Sequence, residues 1–379
     1  MKAKTWLLIL LSILHFQWAG AAQTKIVFQS RSQGQGFLVE QVASGLGVPW
    51  ALVFLNPSEI LFTIRSGGIG VLRLSDGNIR YLSGGPGAVR HGGQGGMLDA
   101  AVPPDRTSGG WVYFTYSKTV KTGGATALAR ARISNDRLTD WEDLRVTRSG
   151  GRKTVHYGSR LAFDDQGYLY MTIGDRGNRH DAQDLNNHAG TVLRLNRDGS
   201  VPEDNPFRGK AGALPEIYSY GHRNPQGIVF DPVHRRVWAI EHGPRGGDEI
   251  NLVLPGRNYG WPVISYGKEY WGPVRVGEGT HKKGMEQPVK VYVPSIAPGS
   301  LLRYSGKAFP GWKGNLMSGA LKLLHLNRVV LDDAGKVVTE ERLLSELDSR
   351  IRALAESPEG WIYLSTDSGH IYRLRPVDP

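Results

Sequence analysis

Short apolar runs along the chain are separated by polar turns, and one order of runs and turns recurs six times. In "LVFLNPSEILFTIRSGG" (52–68), an apolar run meets a turn of Asn, Pro and Ser and then a second apolar run. "RLAFDDQGYLYMTIGDRG" (160–177), "GIVFDPVHRRVWAIEHGP" (227–244) and "RALAESPEGWIYLSTDSG" (352–369) repeat it, and looser copies occupy 96–117 and 300–322. Each copy leads into a third alternating segment, such as "GVLRLS", "TVLRLNRDG" or "IYRLRP". Alternating segments bounded by Gly, Pro and Asp predict strands, and helical spacing is almost absent. The second strands are predicted to begin at 59, 110, 167, 235, 314 and 360, at intervals of 46 to 79 residues. Repeats of that length predict an all-β, six-bladed propeller of four-stranded antiparallel blades around a central axis. A seven-bladed ring is the competing count.

The hairpin pattern has a geometric consequence. The chain entering a first strand and the chain leaving the second lie at the same end of an antiparallel pair. Entry segments "RHGGQGG" (90–96), "TVHYGSR" (154–160), "GHRNPQG" (221–227) and "DSRIR" (348–352) should therefore share one face with exit segments "GDRGNRHDAQD" (174–184), "EHGPRGGDE" (241–249) and "GALK" (319–322). That face collects Arg223, Lys322, Arg350 and Arg352, the amides Gln94 and Asn224, and several histidines. Clustered cations predict an anionic ligand, since guanidinium forks match carboxylates and phosphates. The stretch from Glu241 to Pro262 crowds Gly and Pro among acidic side chains. Bare backbone beside acids suits a hard cation held by oxygen atoms.

Composition narrows the classes. The opening "MKAKTWLLILLSILHFQWAGAAQ" sets Lys2 and Lys4 before an apolar run too short to span a bilayer comfortably, followed by Ala19-Gly20-Ala21. It reads as a signal peptide over 1–21, leaving a single propeller domain over 22–379 that is periplasmic or secreted, without stable membrane insertion. The formal net charge is +11. The basic residues are scattered and the export signal argues against nucleic acid, so a basic surface with a small anionic ligand is the simpler reading. The absence of cysteine excludes disulfides, thiolate metal sites and a Cys nucleophile. No strand–GxGxxG–helix unit, GxxxxGK[ST], HExxH or GxSxG occurs, which removes the commonest nucleotide-binding, zinc-protease and serine-hydrolase readings.

Taken together, "HGGQGG", "VHYGSRLAFDDQGYLYMTIGD", "SYGHRNPQG", "EHGPRGGDEIN", "NYGWP" and "SRIR" resemble the soluble aldose sugar dehydrogenases of the glucose/sorbosone dehydrogenase family, from about Gly45 to Leu374. The resemblance implies a six-bladed propeller enzyme that uses pyrroloquinoline quinone (PQQ) and calcium. It would oxidise aldoses at C1 to the lactone by histidine-assisted hydride transfer. His156 matches the family's proton acceptor, and Arg223 would stabilise the developing oxyanion. Gln94, Arg223, Asn224, Tyr270, Ala320-Leu321-Lys322 and Arg350-Ile351-Arg352 match PQQ contacts. Gly243 and Pro244 match carbonyl ligands of the calcium that bridges to PQQ, and Glu249 and Tyr259 match a further structural calcium site. His222 and His242 are reserve candidates for the base. One departure is Gly158-Ser159, where relatives tend to carry two glycines; it bears on local loop shape.

The expected partners are an aldose and an unidentified electron acceptor, with a monomer or dimer both compatible. Sugar preference would rest with loops 174–188 and 263–285. Two other readings share the fold. A calcium-dependent propeller hydrolase, of lactonase or phosphotriesterase type, needs the metal but no clamp for a tricarboxylate. A non-catalytic carbohydrate-binding propeller would explain aromatic loops but not four cations beside one histidine.

Overall fold

Each polar turn between two apolar runs closes a β-hairpin. Pro49–Asn56 pairs with Glu59–Ile64, Leu161–Phe163 with Leu169–Ile173, Pro225–Asp231 with Arg236–Glu241, and Ile351–Glu356 with Ile362–Thr366. The turn chemistry is local. Asp164 closes the third-blade hairpin by accepting the N–H groups of Gln166 and Tyr168 at 3.0 and 2.8 Å. The looser copies form Met97–Ala101 with Val112–Val120, and Leu302–Arg303 with Leu316–Gly319.

The computed structural model describes residues 24–377, so the signal peptide read over 1–21 lies outside the described residues. Six antiparallel sheets follow one another around an axis, with the first strand of each copy innermost: the ring has six blades. Five blades end in a fourth strand that comes next in the chain, such as Arg137–Val146 or Val337–Leu343. The sixth is completed differently. Gln35–Ala43 pairs antiparallel with Ile371–Pro376, and Lys25–Ser32 adds a fifth strand outside it. The two ends of the chain thus close the ring.

The core is divided into six slabs, one between each pair of adjacent blades. Second strands such as Leu169–Ile173 are buried throughout, because a neighbouring blade covers each face. Outer strands such as Arg137–Val146 return to alternation with solvent. Between the fifth and sixth blades Phe37 meets Trp312 edge-on, with ring centroids 5.6 Å apart. Burying one such aromatic side chain stabilises by about 1.5–3 kcal/mol.

One side chain ties the inner strands together. Arg160 is buried at the axis, just before the first strand of blade three. Its Nε donates to the Gln226 carbonyl at 2.9 Å. Nη1 donates to the Trp50 carbonyl at 3.2 Å and to Asp99 Oδ1 at 2.9 Å. Nη2 reaches the carbonyls of Gly299 and Arg352, the latter at 3.0 Å. Those partners belong to the other five blades, so one guanidinium contacts the whole ring. The Trp50 ring lies 3.8 Å from it. Among the described residues no helix is long and apolar enough to cross a membrane.

Candidate active site

Beside Arg160 the inner strands enclose a cavity of about 100 Å³. Every blade contributes to its wall, with Arg65, Gln94, Tyr157, Asn224, Leu321 and Arg352 as examples. Asn224 Oδ1 accepts from the Gly158 N–H and from Gln226 Nε2, both at 3.2 Å, which fixes the amide's orientation. Its Nδ2 is left buried without an acceptor, as is Nε of the adjacent Arg223. Buried donors without partners are costly; Asn224 lines this cavity and Arg223 the smaller one next to it, so a ligand oxygen in either would relieve the donor there.

The sixth blade supplies the cavity's strongest charge. Arg352 donates Nε and Nη2 to the two oxygens of Asp367, each at 2.8 Å, and Arg350 Nε donates to the same carboxylate at 2.8 Å. Burial acts to raise Asp367, but the two guanidiniums outweigh it and hold this carboxyl below its usual range. The sequence reading named neither Asp367 nor Arg65.

His156 is held by its ring and by its backbone. Its N–H donates to Gln94 Oε1 at 2.7 Å, joining two of the predicted residues directly. Its φ is +52°, left-handed and costly for a side chain of this size. Gly174 permits this close approach, since a Cβ there would overlap the His156 carbonyl. Arg176 supports the segment from behind, donating to the carbonyls of Val155 and Lys153, with its guanidinium 3.4 Å from the Tyr157 ring. Ser159 also has a left-handed φ of +83°, a conformation that glycine adopts freely. The departure from the family pattern therefore falls on a position that would suit glycine.

The His156 ring is fixed by a residue the sequence reading did not name. Nδ1 lies 2.6 Å from Asp175 Oδ1, while Asp175 Oδ2 accepts Trp261 Nε1 at 2.8 Å. Asp175 stays ionised: burial raises its pKa, but hydrogen bonds from His156 and the Gly177 N–H lower it further. An ionised carboxylate only accepts, so Nδ1 carries the proton and Nε2 keeps its lone pair. Burial, then the nearby Arg223 charge, lowers the His156 pKa despite Asp175. The ring is neutral near pH 7 and competent to take a proton at Nε2.

The reserve histidines are differently placed. His242 is brought by burial down to about 3, and its Nε2 donates to the Pro298 carbonyl at 2.7 Å. Such a ring is a poor proton acceptor. His222 is fully buried, with both nitrogens engaged by Glu241 and Ser219. Of these three histidines, His156 is the one that combines a free nitrogen lone pair with partial exposure.

His242 also borders a second, smaller cavity of about 20 Å³, room for one ion or water. Gly243, Pro244, Glu249 and Tyr259, which the sequence reading divided between two calcium sites, all line this one space. Burial, then the adjacent Glu241 carboxylate, raises Glu249 well above the usual range, and Asp248 adds to it. Asn251 Nδ2 bridges the two glutamates at 3.1 and 3.4 Å. The Tyr259 hydroxyl is occupied, accepting from the Leu254 N–H and donating to the Leu252 carbonyl. This residue can therefore offer a cation only its main-chain carbonyl. No group of three His, Asp or Glu side chains converges as a metal cluster among the described residues. A cation here would rest on carboxylate plus backbone oxygen, which is the donor set of a hard ion.

The remaining predicted residues sit apart. Ala320 and Ile351 are core residues, fully buried, whose side chains belong to interblade slabs. Leu321 lines the main cavity, whereas Lys322 beyond it is exposed and not part of the wall. Tyr270 is 67% exposed, its hydroxyl 3.5 Å from Arg223 Nη2. It lies on the insertion between the third and fourth strands of blade four, which Arg179 anchors through Glu269 at 2.6 Å.

Known proteins match this geometry. The model of the Glucose / Sorbosone dehydrogenase family matches residues 46–373. The chain is 38% identical to the aldose sugar dehydrogenase YliI of Escherichia coli over 346 residues, covering 89% of this chain and 92% of that protein. The apo-form crystal structure of the soluble aldose sugar dehydrogenase from Escherichia coli superposes with a TM-score of 0.84 at 36% identity, covering 90% of this chain and all of that one. The PQQ-bound aldose sugar dehydrogenase of Streptomyces coelicolor gives 0.74 at 25% identity, over 90% of this chain and 98% of that one. With the six-bladed ring, these matches show that the chain belongs to the glucose/sorbosone dehydrogenase family.

Proposed function

We propose that this protein oxidises aldose sugars at C1 to the lactone, using PQQ and calcium, with His156 as the proton acceptor. The observation that carries this reading is the neutral His156, oriented by Asp175, beside a cavity where the unpartnered Asn224 amide meets three arginines. PQQ is a planar quinone with three carboxylates; when bound it supplies the two-electron acceptor, and calcium would polarise its carbonyl oxygens.

The chain's own residues have separate tasks. Arg350, Arg352, Asn224 and Gln94 would hold the cofactor's acidic and carbonyl oxygens. Glu249 with the carbonyls of Gly243, Pro244 and Tyr259 would hold the cation beside it. Arg223 lines the cation cavity, its Nε unpartnered and its Nη1 on the His242 carbonyl at 3.2 Å, and would stabilise negative charge on the cofactor. His156 Nε2 would take the proton of the C1 hydroxyl as the C1–H bond breaks. The hydrolase reading is less favoured, because it gives the arginine arc and the orphan donors nothing to bind.

The deciding experiment adds PQQ and calcium to apo-protein and follows reduction of an artificial electron acceptor when glucose or another aldose is supplied. Reduction that requires all three components is the expected result. Lactone hydrolysis without cofactor would replace this reading by the hydrolase.

A further inference from the structure

Arg65 leaves the second strand of blade one, Glu59–Ile64, and enters the wall of the main cavity. Its backbone is pinned on both sides. The N–H donates to the Val48 carbonyl at 3.0 Å, and the carbonyl accepts the Met97 N–H at 3.2 Å. Blade two packs so closely here that a Cβ on Gly96 would overlap the Arg65 carbonyl. The side chain can therefore project from only one place.

That side chain is half-buried, yet among the described residues it makes no hydrogen bond and no ion pair. Arg350 and Arg352 are close enough to repel it, and the attractive carboxylate in reach, Asp367, is already engaged by both. Three guanidiniums thus face one carboxylate on this arc. Two positive charges are left for a ligand, and only Arg65 has every donor free.

Resting on the function proposed above, we infer that Arg65 is a cofactor-binding residue. It would offer its guanidinium fork to a carboxylate of PQQ at the end of the cavity where Arg350 and Arg352 lie. The shared Asp367 sets the division of labour: the two sixth-blade arginines are held in place by the protein, and Arg65 is held only by the ligand.

The test is equilibrium binding of PQQ to apo-protein in calcium, by fluorescence titration, with no substrate present. Arg65→Met should weaken binding about 10- to 100-fold, the loss of a charged hydrogen bond. Arg65→Lys, which keeps the charge but not the fork, should recover part of it. Native protein should prefer PQQ to its trimethyl ester, and Arg65→Met should lose part of that preference. Circular dichroism checks the fold; should Arg65→Met fail to fold, Arg65→Lys and the ester decide the matter. Native protein that binds PQQ, with variants within about twofold of it and an unchanged ester preference, would overturn the role of Arg65 alone. Native protein that binds no PQQ would overturn the proposed function with it.

Discussion

On one side of His242, Arg350 and Arg352 share a single carboxylate, with Arg65 unpaired beside them, around a cavity of about 100 Å³. On the other, Glu241 and Glu249 crowd a space of about 20 Å³ with Arg223 at its edge. All six blades wall the first and blade four with its insertion walls the second, and their charge deficits are opposite. The first strands guanidiniums and amides that need an anion. The second raises a buried carboxylate that needs a cation. Setting the two deficits side by side costs the empty protein stability in both places, and each can be relieved by a ligand of opposite sign. The arrangement suits a bound pair, with an anionic cofactor and its cation in adjoining compartments.

The largest expected effect comes from the histidine that belongs to neither compartment's charge balance. His156→Ala should lower turnover about 10²–10⁴-fold while PQQ affinity, set by the basic side, changes little. Steady-state kinetics and cofactor titration measure the two separately. Because burial and Arg223 depress the His156 pKa, the native rate should fall only as pH drops below the ordinary value of 6.5 and stay level above it. The alanine variant should lack that limb. An equal loss of affinity and turnover would place His156 inside the anion clamp.

Removing the charge behind the histidine comes next. Asp175→Asn should lower turnover about 10- to 100-fold. Since Asp175 is the group that favours protonated His156, the acid limb should move to still lower pH. A limb that moves upward would mean that the carboxylate does not govern the ring.

The compartments themselves are separated by a matched pair of variants. Arg352→Met should weaken PQQ binding about 10- to 100-fold and leave calcium affinity nearly intact. Glu249→Gln should reverse the balance, with calcium affinity falling about tenfold. Calorimetry on each variant reads both constants, and equal losses in both ligands would merge the two sites into one.

The smallest effect is in stability. Glu249 has a folded pKa above its ordinary 4.5, so the folded apo-protein binds this proton more tightly than the unfolded chain. Stability should therefore fall as pH rises from about 4.5 through the raised value. Apo Glu249→Gln should be more stable than native protein at pH 7 by about 1 kcal/mol, and calcium should erase the difference. Thermal melts with and without calcium check this.

The hairpins were legible because alternation with a period of two, punctuated by Gly, Pro and Asp, survives in every copy. The outermost strands were not. Ile79–Tyr81 and Lys290–Tyr292 are three residues long, half in solvent, and carry no periodicity to detect. The pairing of Gln35–Ala43 with Ile371–Pro376 joins opposite ends of the chain, which no local pattern announces. The site shows the same division. Gln94, His156, Arg223, Asn224 and Arg352 stood out because they occupy entry segments. The residues not named, Arg65, Asp175 and Asp367, all lie within two positions of the end of a second strand. Applying the exit rule to blades one and six, rather than to three exits only, would have found Arg65 and Asp367. The pairing of Asp175 with His156 needed the third dimension, since it depends on a left-handed backbone at His156.

Arg160 changes how such a ring can come apart. Repeat architectures are usually held by nearest-neighbour contacts, so that one unit can open while distant ones persist. Here a single buried guanidinium is bonded to each of the five other blades, and Asp99 is its only anionic partner among the described residues. Withdrawing any inner strand leaves part of that charge unsatisfied, a cost felt on the far side of the axis. The amides of the inner strands should then exchange with deuterium together, at the rate of global unfolding, while Ile79–Tyr81 and other rim strands exchange by local fraying. Replacing Arg160 by Met should uncouple the blades and spread the inner-strand rates. Inner strands that already exchange blade by blade in the native protein would show that the hub confers no such cooperativity.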